Sequence, residues 1–261
     1  MIMISWGSPE NPPILLVHGY MDSAATFILL MDLLPDNHYY VGFDMPGHGK
    51  SPSFPEDLHI TQLHVTEAIR IIVQHLQWKK FTYMSHSMGC IIGKLYSYLI
   101  SQLIFTYFNL IFTYLYPRES VKTPRLYKYN SLVSSVARNR NLTEEQAKVV
   151  VSRSIELSWE PRMKFIAQLT VPEETIYTII TTSPPPILAI DPSHTGASYS
   201  KEYIDNLMNK CERTLPHFYR LTVVGGHDVH ITNPELLVPK IVKFLESREK
   251  DLRIAFEKSR L

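Results

Sequence analysis

The chain has 261 residues, 45% of them hydrophobic, and 26 basic against 25 acidic side chains leave a formal net charge of +1. That is the size of one large α/β domain with enough apolar content for a full core, so residues 1–261 read as a single domain. Interspersed, balanced charge excludes the basic face a nucleic-acid binder needs and suits a small neutral substrate. The two cysteines, Cys90 and Cys211, exclude a disulfide framework, carry no metal-ligand spacing and favour a reducing compartment; neither metal nor cofactor is expected.

Residues 1–7 lack a basic leader and a long apolar core, and secretion is not expected. Ile14-Leu15-Leu16-Val17, after Pro12-Pro13, is a short continuous apolar run that predicts a strand covered on both faces. It ends in His18-Gly19-Tyr20-Met21, where glycine lets the backbone turn tightly under a ligand. The amide of Tyr20 is there a candidate donor to an oxyanion, and His18 reads as a structural turn histidine. Asp22 to Leu34 predicts an amphipathic helix with Phe27, Leu30 and Leu34 inward. Tyr39-Tyr40-Val41-Gly42-Phe43 predicts a second buried strand. The loop after it, Asp44-Met45-Pro46-Gly47-His48-Gly49-Lys50-Ser51, lacks the spacing of a phosphate-binding loop, and Asp44 and His48 read as its staples. Apolar residues at helical spacing then predict a helix from Glu56 to Leu76.

Phe81-Thr82-Tyr83-Met84-Ser85-His86-Ser87-Met88-Gly89 is the stretch around which the chain is organised. An apolar strand runs into small-x-Ser-x-Gly and then into a helical pattern, the context of a nucleophile elbow that lifts a serine hydroxyl above a sheet. Ser87 would sit on the tip, and Met88, opening the helix, would supply the second oxyanion amide. Ser85 stands where glycine is usual. Strand and helix alternate to this point, which predicts a mostly parallel sheet with His18, Asp44 and Ser87 at strand carboxyl ends, where ligands bind.

Leu95 to Tyr116 is an uncharged run of about 20 residues, long enough to cross a bilayer. Its recurring Ser, Gln, Thr and Asn favour a buried helix and strand, with an insertion replacing the expected middle strand as the alternative. Residues 117–182 read as an inserted helical cap, in which Trp159, Met163 and Phe165 are candidates for lining an apolar pocket or packing a core. Glu173 and Glu174 read as a solvated first helical turn. Within the cap, Thr143-Glu144-Glu145-Gln146 is a capping-box start, so the sequon Asn141-Leu142-Thr143 reads as loop and helix cap. Pro184 to Ile190 and Tyr219 to Val224 predict strands, and Asn233-Pro234 starts a helix to Leu245. Charged residues 246–260 read as an exposed extension. Ser259-Arg260-Leu261 is a conservative variant of a peroxisomal address, which makes an import receptor the expected partner and the peroxisome the expected location, with the cytoplasm as alternative.

Taken together, the His18-Gly19-Tyr20 turn, the Asp44 to Ser51 loop, the Ser87 elbow, and Val223-Val224-Gly225-Gly226-His227-Asp228-Val229-His230 followed by Asn233-Pro234-Glu235 resemble the α/β-hydrolase superfamily. The group within it that the chain most resembles is the serine hydrolase-like proteins. This resemblance implies an α/β fold with helices on both faces, although the few residues before Ile14 point to missing N-terminal strands. It further implies a serine hydrolase in which Ser87 attacks an acyl carbonyl, His227 accepts its proton, and the Tyr20 and Met88 amides hold the oxyanion. His227 is preferred to His230 by its spacing to Gly226 and Pro234. The family's acid position falls near His194 or Thr195, so the nearest carboxylate, Asp191, is the candidate third member, or else a cap for the Pro192-Ser193 turn. The alternative is a catalytically impaired member that binds a small apolar ligand or a protein partner.

Overall fold

A computed structural model describes residues 1–20, 22–55, 61–99, 104–109, 129–152, 177–178, 180–181, 185–194 and 201–258. Seven strands form one sheet: β1 (Met3–Trp6), β2 (Pro13–Val17), β3 (Tyr39–Phe43), β4 (Phe81–Ser85), β5 (Ile104–Asn109), β6 (Ile187–Pro192) and β7 (Phe218–Val223). Their spatial order is β1-β3-β2-β4-β5-β6-β7. β1 runs antiparallel to β3, and the other neighbours are parallel. The order turns back at β2, so β2 and β4, which carry His18 and Ser87 at their ends, lie side by side at the sheet centre. Ligands of open parallel sheets bind at such a reversal point.

Period-two alternation divides the strand residues between two cores. Leu15, Val17, Phe43, Phe81, Tyr83, Ile187 and Ala189 face one side, where they meet helices α2 (Gln62–His75), α3 (Met88–Leu99) and α6 (Lys201–Thr214). Ile14, Leu16, Tyr40, Met84, Leu188 and Ile190 face the other. There they pack on Phe27 of a 3-10 turn, on α1 (Ile28–Met31), and on Ile241, Phe244 and Leu245 of α8 (Val238–Lys258). Apolar residues on both faces of each central strand are the reason that helices cover both sides.

β5 is in place between β4 and β6, as the favoured helix-and-strand reading of this stretch expected, and the alternative of an insertion in its place falls away. Other expectations change. Residues 3–6, not anticipated as a strand, add an antiparallel edge to β3. Asp22 to Leu34 is a 3-10 turn over Ala24–Phe27 followed by one turn of α-helix, with Phe27, Leu30 and Leu34 buried as expected. α6 was not anticipated at all. The charged stretch expected as an exposed extension is helical, because α8 continues through it to Lys258.

Of residues 117–182, the structure describes chiefly a helical hairpin, α4 (Tyr129–Arg140) and α5 (Glu144–Val151). Its connection is the sequon: Asn141 takes a left-handed φ of 53° as the residue ending α4, and Thr143 caps α5 in a capping box with Gln146. Trp159, Met163, Phe165, Glu173, Glu174 and Ser259-Arg260-Leu261 lie outside the described residues. No helix among the described residues is long and apolar enough to cross a membrane.

Candidate active site

Ser87 holds a φ of +53° between the end of β4 and the start of α3. A side chain in this region is disfavoured by about 1–2 kcal/mol, and the surrounding contacts over-determine it. His86 N donates to Val17 O at 3.0 Å, tying the turn to β2. A Cβ on Gly89 would lie 2.4 Å from Val17 O and 2.7 Å from His18 O, so the residue two beyond the serine can only be glycine. Ser85 is tolerated at the position two before it because its buried hydroxyl donates to Cys90 Sγ at 3.4 Å. Ser87 itself is only 3% exposed. The tip of the elbow is therefore enclosed.

The backbone of the first loop passes directly over the serine. A Cβ on Gly19 would fall 3.0 Å from Ser87 Cβ and 3.5 Å from its Oγ, which brings the Gly19-Tyr20 stretch beside the hydroxyl. Met88 opens α3, where the first amides have no partner within the helix. His18 is fully buried and fixes this loop: its Nε2 accepts from Met45 N at 3.0 Å, so Nδ1–H donates to Gly19 O at 2.7 Å. Burial lowers its pKa, which keeps the ring neutral in this structural role. Asp44 is the expected staple, accepting from Ala24 N at 2.9 Å and Lys50 N at 3.0 Å. His48 Nδ1 bonds Pro46 O at 3.2 Å, and its ring lies 5.1 Å from that of His18.

The histidine loop after β7 closes on the elbow from the other side. His86 Nε2 donates to His227 O at 3.1 Å, and the two ring centroids are 4.6 Å apart. His227 is partly buried; burial lowers its pKa while Asp228 raises it, so the ring is a neutral base near pH 7. His230, on α7 (Val229–Thr232), is fully buried, with Nε2 at 2.8 Å from Thr26 Oγ1 and its ring 4.1 Å from that of His86. Asp228 is 5% exposed, with its carboxylate on the Arg140 guanidinium, which lowers its pKa despite burial. His86, Asp228 and His230 place one donor atom each within 4.8 Å of one another. Arg140 already supplies positive charge to that carboxylate, so the group reads as an ion and hydrogen-bond network.

Asp191 stands elsewhere in the charge pattern. It lies within β6, 3% exposed, and accepts from Arg220 Nε at 3.0 Å. Arg220 also pairs with Asp205 of α6. The charges acting on His227 are those of Asp228, Arg140 and Asp22. Asp191, the candidate triad acid or turn cap, thus lies in a strand that continues through it, and its side chain faces a cation one strand away. Asp191→Asn is expected to leave the rate of Ser87 modification within about threefold while lowering stability by about 3 kcal/mol, since it breaks a buried ion pair. Labelling kinetics and a denaturant melt measure the two effects separately.

The sequence reading missed His86, Asp22, Asp228 and Arg140. His86 and Asp228 stand inside the recognised motifs, next to residues that were singled out, and Asp22 opens the helix predicted after the His18-Gly19-Tyr20-Met21 turn. Arg140 carries no local signal beyond a basic residue at a helix end, which serves the helix dipole anywhere.

The α/β-hydrolase fold family model matches residues 12–104. Over 93% of this chain and 89% of the relative, human serine hydrolase-like protein 2 is 27% identical. Human serine hydrolase-like protein is 40% identical over 35% of this chain and 45% of its own length. A hypothetical protein from Pseudomonas aeruginosa PAO1 superposes with a TM-score of 0.80 at 18% identity, over 94% of this chain and 95% of that one. With the sheet order, the strained serine and the histidine loop beside it, these likenesses show an α/β-hydrolase fold in a chain similar to the serine hydrolase-like proteins.

Proposed function

We propose that this protein is a serine hydrolase that cleaves a carboxylic ester, thioester or amide through an acyl-enzyme on Ser87. The observation that carries the proposal is the +53° φ of Ser87 at a strand-to-helix turn, with the Gly19-Tyr20 backbone over its hydroxyl. A serine held in a disfavoured conformation by this many contacts fits nucleophile duty better than a structural turn. In the mechanism, Ser87 Oγ attacks the acyl carbon and His227 accepts the hydroxyl proton. The Tyr20 and Met88 amides receive the oxyanion, and the same proton passes to the leaving group as the carbonyl reforms. Water then repeats the sequence to release the acid. Asp228 and Asp22 supply the negative potential that favours imidazolium as it forms.

A second reading, an impaired member that binds a small apolar ligand or a partner, is favoured by the engagement of Asp191 with Arg220 and by the enclosure of Ser87. Fluorophosphonate labelling separates the two. Folded protein should be labelled at Ser87 and the label should vanish in Ser87→Ala; a well-folded chain that stays unlabelled over hours would overturn the hydrolase reading and favour the binding one.

A further inference from the structure

The α4-α5 hairpin touches the site at points unrelated to covering it. Arg140 is the last residue of α4, and its direction is fixed by the turn behind it: Asn141 is left-handed and Leu142 N returns to Ala137 O at 2.8 Å. From there Arg140 Nη2 donates to Asp22 Oδ2 at 3.1 Å and to Asp228 Oδ1. Asp22 follows Tyr20 by two residues and Asp228 follows His227 directly. One guanidinium therefore joins the loop that carries the oxyanion amide to the loop that carries the base.

The hairpin is anchored to the same two loops beside this pair. Gln146 Nε2 donates to Ile231 O at 3.0 Å, Ser23 Oγ donates to Val150 O at 3.4 Å, and Ile231 packs among Val133, Leu142, Ala147 and Val150. Asp22 is 2% exposed and Asp228 5%. Carboxylates so buried need a partner. Apolar residues of similar volume would nevertheless hold two loops together at least as well as a buried ion triad. An ionic link placed beside the base therefore calls for a reason other than adhesion.

We propose that Arg140 is a positioning residue, which holds the Tyr20 loop and the His227 loop in register around Ser87 and so makes nucleophile reactivity depend on a docked α4-α5 hairpin. This rests on the hydrolase reading above. Arg140 acts through two neighbours and does not touch substrate. Both bonds leave one nitrogen, Nη2, at the end of the arginine side chain, and a lysine Nζ lies one bond nearer the backbone, so it cannot stand between the two carboxylates at the same place.

The charges that face His227 are Asp228 on its own loop, Asp22 on the loop after β2 and Arg140 from α4, with the His86 and His230 rings in the same cluster. Arg140 disfavours protonation of His227, and its removal should make the base easier to protonate.

The test is the second-order rate of fluorophosphonate labelling of Ser87 from pH 5 to 9, in the full chain and in Arg140→Gln and Arg140→Lys, with melting temperatures alongside. Arg140→Gln is expected to label about 10-fold to 100-fold more slowly at pH 8 and to move the acid limb up by at least half a pH unit. Arg140→Lys keeps the charge and should leave the limb in place while still slowing labelling about fivefold or more. If the glutamine variant does not fold, the lysine variant decides alone: a rate equal to the unsubstituted chain overturns the proposal. So does a lowered melting temperature with rate and limb unchanged in either variant. No label in the unsubstituted chain overturns the hydrolase reading and this proposal with it, whereas labelling indifferent to Arg140 overturns this proposal only.

Discussion

His227→Ala is expected to slow fluorophosphonate labelling of Ser87 by about 10⁴-fold or more, the scale seen when a nucleophile loses its base. A serine hydroxyl is a weak nucleophile at neutral pH unless a group beside it accepts the proton as the bond forms. His227 is suited to this because it is partly buried and its pKa is lowered by desolvation, which leaves it unprotonated where it must act. His230 provides the control. Its Nε2 is engaged by Thr26 and its ring is wholly buried between Phe27 and His86. His230→Ala should therefore lower stability, with a far smaller effect on labelling than His227→Ala. The opposite ranking of the two variants would move the base to His230 and require the site to be redrawn around it.

Lys94→Met is expected to stabilise the protein at pH 7 and to flatten its stability between pH 7 and 9. Lys94 is on the inner face of α3, 6% exposed, and burial pushes its pKa down to about 7 from the ordinary 10.5. Between those values the unfolded chain holds a proton that the folded chain does not, so stability rises with pH there. The folded state is correspondingly disfavoured at neutral and lower pH, by up to on the order of 5 kcal/mol at about 1.4 kcal/mol per pH unit. Methionine matches the length of the side chain without the charge. The variant should melt roughly 10 °C higher at pH 7. Above pH 9 the advantage of high pH fades in the unsubstituted chain as well. Burial raises Cys211 to about 11 and Tyr83 well above its usual value, so there the unfolded state loses protons first and stability falls. Equal melting temperatures for the two chains from pH 6 to 9 would show that Lys94 is stabilised by its surroundings in its charged form.

Features set by near neighbours in the chain were legible in the sequence. The apolar runs of β2, β3 and β4, the small-x-Ser-x-Gly pattern around Ser87, the turn residues of the Asp44 loop and the Thr143 capping box are each patterns of residues within a few positions of one another. Their spacing is sufficient to specify them. What could not be read were pairings between residues far apart. Arg140 reaches Asp22 across 118 positions and Asp228 across 88, and Arg220 takes Asp191 across 29. Asp191 looked available because its partner lies on the neighbouring strand, while Asp228 looked incidental because the cation that buries it comes from a hairpin outside the sheet. Local pattern determined that a serine would stand at the end of a central strand. Only the tertiary structure decided which carboxylate shares its surroundings, because a charge settles according to the cations that folding brings to it, and spacing along the chain does not encode that.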